Sequence, residues 1–194
     1  MKVWIYIAVL LSGVSVCAQE IKDEFDDNAL GWNEYAWKDS QCLIMNGSLT
    51  LESKVEDPIL TFCYAPFDVN SDFEFTCEVK TKKIDEEKSF GIIVNYEDDG
   101  NYLAFMVSKG LARFERWKEG RLIGSFYDTI KLKERKSKSS TILSLRYEGG
   151  TAIFLVNDMK ALERRFLHMT SNGIGFKIGG KQKIEYDNLE IKWD

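Results

Sequence analysis

Histidine, proline and cysteine are scarce in this sequence of 194 residues, and the shortages exclude several kinds of site. His168 is the only histidine, which excludes a histidine-rich metal centre. A Ser-His-Asp triad would have to use that single residue, and no G-x-S-x-G motif supports one. The four cysteines form no C-x-x-C pair, so a zinc site is not indicated either. We therefore expect His168 to be a surface residue or one with ordinary hydrogen-bond partners.

Three of the cysteines, Cys42, Cys63 and Cys77, each lie in an apolar, strand-like run. Free cysteine in such surroundings behaves as a small buried hydrophobic residue. Three cysteines also permit one intramolecular disulfide with one thiol left over. The sequence leaves that pairing open.

Long hydrophobic runs are also lacking, except at the N-terminus, where residues 3–16 are mostly apolar and follow the positive Lys2. This pattern, with the small Ala18 after it, predicts a secretory signal peptide over residues 1–18 and one domain over residues 19–194. A lipoprotein anchored through Cys17 is the alternative, although the bulky Val16 suits it poorly. The ending "CAQE" is similar to signal peptides of Bacteroidetes. We therefore expect export to the periplasm or the cell surface, and no transmembrane helix.

The charge balance disfavours nucleic acid as a partner. The chain has 31 acidic and 26 basic residues, which gives a net charge of −5. One basic run, "KLKERKSK" at residues 131–138, departs from that balance. We interpret it as a solvated loop, with a polyanion-binding patch as the alternative.

Strand patterns dominate the rest of the chain. Residues 73–80, "FEFTCEVK", alternate between apolar and polar side chains, and Asn46-Gly47 between two apolar runs predicts a tight hairpin. About a dozen such runs with short turns predict an all-β fold, a two-sheet antiparallel β-sandwich (jelly roll). Only "MKALERRFLHM" at residues 159–169 is ambiguous between a short helix and a strand. Trp32 and Trp37 are expected in the core.

The central strands allow their register to be predicted. A three-residue turn at residues 98–100 and a two-residue turn at Lys109-Gly110 place one set of side chains on one face: Tyr96, Tyr102, Met106, Arg113, Glu115 and Trp117. The opposite face carries an apolar set, which we expect in the core: Ile93, Leu103, Phe105, Val107, Ala112 and Phe114. Aromatic rings beside charged groups suit a sugar, so the sequence predicts a ligand-binding surface at Tyr96, Tyr102, Arg113, Glu115 and Trp117. Ordinary packing under a loop is the alternative.

Several segments together resemble the concanavalin A-like lectin/glucanase superfamily, which includes laminin-G-like modules. They are "FDDNALGW" (25–32), "WKDSQCLIMNGSLTL" (37–51), "DFEFTCEVK" (72–80), residues 90–122, residues 141–158 and "GIGFKIGGKQKIEYDNLEIKW" (173–193). The resemblance covers nearly all of residues 19–194 and implies a jelly roll. It leaves function open, because this fold hosts lectins, hydrolases and adhesion modules.

The last strand contains E-x-D-x-x-E, which resembles the catalytic signature of one group of jelly-roll glycosidases. The candidate catalytic residues are therefore Glu185 and Glu190. In a regular strand these two residues point to opposite faces, and only a β-bulge after Asp187 would bring them together. No glycine marks such a bulge, so we expect a non-catalytic strand.

The same resemblance implies a structural calcium ion. Its ligands would be the Asp187 side chain and backbone carbonyls, one from Gly47 and one near the N-terminal "DEFDDN". The alternative is that Asp187 only hydrogen-bonds to backbone where the chain ends meet.

We therefore expect an exported, non-catalytic jelly-roll module whose partner is a carbohydrate or another cell-envelope glycan. The alternatives are a glycoside hydrolase acting on a polysaccharide and a laminin-G-like protein-interaction module. The sequence leaves open the ligand, any catalysis and the oligomeric state.

Overall fold

The structure is a computed structural model that describes residues 19–81, 88–130, 140–165 and 168–194. Within these ranges every regular element is a strand. They are β1 (Gln19–Asp23), β2 (Tyr35–Ala36), β3 (Ser40–Ile44), β4 (Leu49–Ser53), β5 (Ile59–Tyr64), β6 (Phe73–Lys80), β7 (Ser89–Asp98), β8 (Asn101–Ser108), β9 (Leu111–Lys118), β10 (Arg121–Thr129), β11 (Thr141–Glu148), β12 (Thr151–Val156), β13 (Met159–Arg165), β14 (Gly173–Gly179) and β15 (Gln182–Trp193). The predicted signal peptide and the basic run at 131–138 lie outside the described residues.

The strands form two antiparallel sheets. The nine-stranded sheet has the order β13-β12-β11-β6-β15-β4-β3-β2, with β1 pairing with the C-terminal half of β15. The six-stranded sheet has the order β10-β9-β8-β7-β14-β5. This arrangement confirms the predicted all-β, two-sheet sandwich, and it resolves the ambiguous segment in favour of a strand, β13. No helix long and apolar enough to span a bilayer occurs among the described residues.

The core lies between the sheets and is formed by alternate residues of each strand. In β6 the buried set is Phe73, Phe75, Cys77 and Val79, as the alternation predicts. Trp32 is 2% exposed and stacks on the Phe176 ring with 5.3 Å between centroids, which confirms its expected place in the core.

The three cysteines are buried and free, so no disulfide forms among Cys42, Cys63 and Cys77. Burial raises the pKa of the Cys42 thiol to about 12 and also raises the pKa of the other two. They behave as small hydrophobic residues.

The expectation for Trp37 is wrong, because this side chain is 71% exposed. It follows β2, which is only two residues long and lies at the edge of the nine-stranded sheet. No strand of the described residues lies beyond that edge, and the ring stacks on Tyr35 at 4.6 Å between centroids.

Two predicted turns are confirmed. Asn46 and Gly47 have φ of 53° and 68°, and Met45 and Ser48 exchange both backbone hydrogen bonds across them. This is a two-residue hairpin that requires left-handed backbone at both positions. In the second turn Ser108 pairs with Leu111, as predicted from Lys109-Gly110.

The predicted turn at residues 98–100 is wrong by one residue. Asp98 pairs with Asn101, and a register shift follows between Val94 and Asp98. Asn95 lies inside that shift with φ of 53°. This β-bulge turns Ile93 onto the outer face of the sheet, away from the core set in which it was expected.

Candidate functional site

An aromatic row crosses the outer face of the six-stranded sheet, the face turned away from the other sheet. It comprises Tyr64, Tyr96, Tyr102 and Trp117, contributed by β5, β7, β8 and β9. Ring centroids are 6.3 Å apart from Tyr64 to Tyr96, 6.3 Å from Tyr96 to Tyr102 and 5.7 Å from Tyr102 to Trp117. Phe62 packs on Tyr96 at 4.0 Å. The structure therefore brings together the predicted aromatic residues and adds Tyr64 and Phe62 from a strand distant in sequence.

Most of this row is buried. Tyr96 and Tyr102 are 3% and 5% exposed, whereas Tyr64 is 51% exposed and Trp117 is half-buried. The predicted open surface of aromatic rings is thus accessible mainly at its two ends. Its middle is a second apolar cluster, which also contains Ile93, Ala104 and Met106.

A charged network lies beside the row and includes the two predicted polar residues. The Glu115 carboxylate accepts hydrogen bonds from the Trp117 indole and the Lys177 ammonium, both 2.8 Å, and pairs with Arg113 at 2.6 Å. Lys177 also donates to the Tyr102 hydroxyl at 3.1 Å, and its ammonium lies 4.3 Å from the centre of a Trp117 ring. Glu115 and Lys177 have side chains 4% and 5% exposed. The network links the aromatic row to a single buried ion pair.

The pKa values follow from this burial and pairing. Burial alone would raise the pKa of Glu115, but Lys177, the Trp117 indole and Arg113 together hold it below its ordinary value. Burial lowers the pKa of Lys177, with the Glu115 carboxylate opposing the shift. Such a pair on the outer face of a sheet is costly to desolvate and marks a functional-site candidate.

Sequence reasoning missed Lys177. Its signal was a lysine in the otherwise apolar strand "GIGFKIG", where a charged residue needs a buried partner. The partner, Glu115, is on β9, and in the sheet β7 and β8 lie between β9 and β14. Gly91, the β7 partner of Lys177, must be glycine, because a Cβ there would lie 2.0 Å from the Phe105 carbonyl oxygen.

The accessible part of the site lies on β9 and β10. Arg113 has a side chain one-third exposed, and its cross-strand neighbour Tyr127 is 56% exposed. Leu122, 46% exposed, pairs with Trp117 on the same face. We call Arg113, Trp117, Leu122 and Tyr127 the β9–β10 platform.

Two polar atoms at this platform have no hydrogen-bond partner among the described residues. They are Nε of Arg113 and the hydroxyl of Ser125, which pairs across the strands with Glu115. Both atoms are buried, and unsatisfied polar groups of this kind are uncommon in folded proteins, which sets this part of the sheet apart from an ordinary packed face.

The E-x-D-x-x-E segment does not form the regular strand that was predicted. The pairing of β15 with β6 shifts by one residue between Asp187 and Glu190, and Asn188 has φ of 50°. A β-bulge is therefore present, and the expected split is wrong: Glu185, Asp187 and Glu190 share the outer face, while Tyr186 and Leu189 are buried. Asparagine adopts left-handed backbone more readily than most residues, so no glycine was needed.

These carboxylates lie on an exposed polar face of the nine-stranded sheet, each beside a lysine. Glu190 pairs with Lys192 at 2.6 Å and with Lys22 at 3.4 Å. The hydrogen bond from Lys192 is the largest cause that lowers the pKa of Glu190, whereas a general acid needs a raised pKa. Glu185 lies 3.5 Å from Lys183.

The predicted calcium ligands lie near the same bulge. One Asp187 oxygen pairs with the Lys80 ammonium at 2.5 Å, and the other accepts the Asn188 amide. A Cβ on Gly47 would lie 3.7 Å from a carboxylate oxygen of Asp26, so the hairpin and the N-terminal segment do meet. Across the described ranges no three His, Cys, Asp or Glu side chains form a metal-binding group. A calcium ion held by Asp187 would have to displace Lys80, and the ion stays a prediction.

No protein-family model matches the sequence, and no curated protein matches it significantly. Solved structures do match its fold. The carbohydrate-binding module CBM66 from Bacillus subtilis is 13% identical, with 82% of this chain and 94% of that one covered and a TM-score of 0.61. A Bacillus subtilis protein of unknown function with a galectin-like fold is 13% identical, covering 90% and 97%, with a TM-score of 0.62.

The laminarinase catalytic domain from Thermotoga maritima is 10% identical, with 91% of this chain and 98% of that one covered and a TM-score of 0.64. The chain therefore shares the two-sheet jelly-roll fold of these structures. This confirms the predicted resemblance at the level of fold, where binding modules and catalytic domains occur side by side.

Proposed function

We propose that the protein is an exported, non-catalytic module that binds a glycan through the β9–β10 platform. This proposal rests on one observation: the partly exposed Arg113 and Trp117 are both bonded to the Glu115 carboxylate of the buried Glu115–Lys177 pair. A sugar ring would stack on Trp117 or Tyr127, and its hydroxyls would reach the partly exposed Arg113. The buried pair would hold these groups in place, which reduces the entropy lost on binding.

The solved structures support the proposal without deciding the ligand. One neighbour is named as a carbohydrate-binding module, and others are named as glucan-hydrolysing enzymes. The fold therefore carries saccharide chemistry in several proteins, and an aromatic platform beside charged groups suits that chemistry here.

A glycan array followed by titration calorimetry tests the proposal. Trp117→Ala should weaken binding to a retained glycan about tenfold or more, and Arg113→Gln should weaken it as well. Trp37→Ala is the matched control, because Trp37 is an exposed tryptophan at the edge of the other sheet. If no glycan is retained while a protein ligand is captured, the laminin-G-like alternative replaces this proposal.

A hydrolase is the second candidate, because the bulge at Asn188 places Glu185, Asp187 and Glu190 on one face. Two carboxylates on one face are what glycoside hydrolysis requires. Incubation with β-glucans and assay of reducing ends would test it. Activity lost in both Glu185→Gln and Glu190→Gln would support the enzyme, and activity that survives both would remove these residues as catalysts.

A further inference from the structure

A cleft of about 790 Å³ opens at the edge of the sandwich where β13 meets β9 and β10. It lies mainly on the inner side of β9, whereas Arg113 and the rest of the platform face outward. Phe114, Phe126 and Ile123 give the cleft an apolar lining. Its volume is in the range of about 300–1,000 Å³ that is usual for small-molecule sites.

Positive charge dominates this cleft. Arg116, Lys118, Arg164 and Arg165 line it, and the single carboxylate in the lining is that of Glu97. That carboxylate already accepts a hydrogen bond from the Thr170 hydroxyl. None of the four cationic side chains forms an ion pair with a residue in the described part of the chain. The chain as a whole has a net charge of −5, so this excess of positive charge is a local feature of the cleft.

Arg164 is held in the cleft by its surroundings. Its guanidinium stacks over the Phe126 ring at 4.7 Å, and one terminal nitrogen donates to the Glu163 carbonyl at 2.6 Å. Its Nε is buried and has no partner among the described residues. A guanidinium held over an aromatic ring is prepared to bind a planar or tetrahedral anion through its terminal N–H groups.

We infer that this edge cleft binds the anionic group of an acidic saccharide, a carboxylate or a sulfate, with Arg116 and Arg164 as its principal contacts. The sugar ring would pack on Phe126 and Ile123, which are 50% and 53% exposed, and a free inorganic anion would leave these side chains unused. This site is separate from the β9–β10 platform, although Trp117 borders both.

Titration calorimetry on the intact chain tests the inference with four probes: an oligogalacturonate, a sulfated oligosaccharide, a neutral oligosaccharide of equal length and a single-stranded oligonucleotide. We expect one of the two acidic saccharides to bind measurably more tightly than the neutral one and the oligonucleotide. Arg116→Gln, at an exposed position, should weaken that binding at least tenfold, because a charge-assisted hydrogen bond is lost. Arg164→Gln should have a similar effect if its melting temperature is preserved.

Arg146→Gln is the matched control, since Arg146 is an exposed arginine on the outer face of the nine-stranded sheet, paired with Glu74 at 3.2 Å. Its affinity should stay within twofold of wild type. The inference is overturned if neither acidic saccharide binds, if Arg116→Gln binds as wild type, or if the oligonucleotide binds as tightly. Because Arg116 points away from the platform, loss of this site leaves Trp117-dependent glycan binding intact, so the two proposals can fail separately.

Discussion

Removing the buried ammonium of Lys177 should destabilise the protein strongly. Lys177→Met leaves the Glu115 carboxylate, 4% exposed, with Arg113 and the Trp117 indole, and deprives the Tyr102 hydroxyl of its donor. Breaking a buried ion pair costs about 3–5 kcal/mol, and the remaining Arg113 partner favours the lower end. A loss of about 3 kcal/mol corresponds to about 6–12 °C in melting temperature for a chain of this size.

Chemical unfolding and thermal melting measure this effect. Lys80→Met is the matched control, because Lys80 pairs with Asp187 at 2.5 Å but is 46% exposed, so its loss should cost only about 0–1 kcal/mol. The double variant Lys177→Met with Glu115→Gln should be more stable than Lys177→Met alone, since it removes the buried carboxylate that has lost its ammonium partner. The reasoning is refuted if Lys177→Met costs no more than Lys80→Met, or if the double variant loses the sum of both single effects.

The pH dependence of stability gives an independent check on the same pair. The pKa of Glu115 is lower in the folded protein than its ordinary value of 4.5. Its contribution to stability is therefore complete above that value and is lost as pH falls through the folded pKa. The stability difference between wild type and Glu115→Gln should shrink as pH is lowered from about 5 to about 3, by at most about 1.4 kcal/mol per pH unit. A difference that stays constant over that interval would contradict the assignment.

Three further outcomes follow from the structure. If Asp187 holds calcium, the ion should raise the melting temperature relative to a chelator, and Asp187→Asn should abolish the increase; an unchanged midpoint removes the ion. Asn188→Val should cost about 1–2 kcal/mol in unfolding experiments, because a β-branched residue is strained at φ of 50°, whereas Lys192→Val on the same face should cost far less. The Cys42 thiol, with a pKa of about 12, should resist alkylation at neutral pH until the protein unfolds, as peptide mapping would show.

The fold could be predicted because it depends on patterns formed by residues close together in sequence. Alternation in β6, the Asn46-Gly47 turn and the Lys109-Gly110 turn depend on neighbouring residues, and the structure confirms all three. The site was predictable only in part. The hairpin of β8 and β9 aligned Tyr102, Glu115 and Trp117 correctly, whereas Lys177 lies 62 residues after Glu115 in the sequence, and no local pattern joins it to them.

Two errors share one physical cause. Ile93 was assigned to the wrong face, and Glu185 and Glu190 were assigned to opposite faces, because a β-bulge interrupts the two-residue period of each strand. In both strands the bulge contains an asparagine at positive φ, Asn95 or Asn188. The short amide side chain of asparagine makes left-handed backbone less costly, so a search for glycine alone overlooks such bulges.

The carboxylates of the E-x-D-x-x-E segment do not become catalytic only because they share one face of the sheet. The bulge at Asn188 gives E-x-D-x-x-E the face that catalysis requires, yet Glu190 lies between two lysines that lower its pKa, among exposed polar side chains. A buried carboxylate, that of Glu115, lies instead on the other sheet, where an indole, a guanidinium and an ammonium converge on it. Because recognition needs both preorganised polar groups and an apolar surface to stack on, the six-stranded sheet is the better place to look for the ligand.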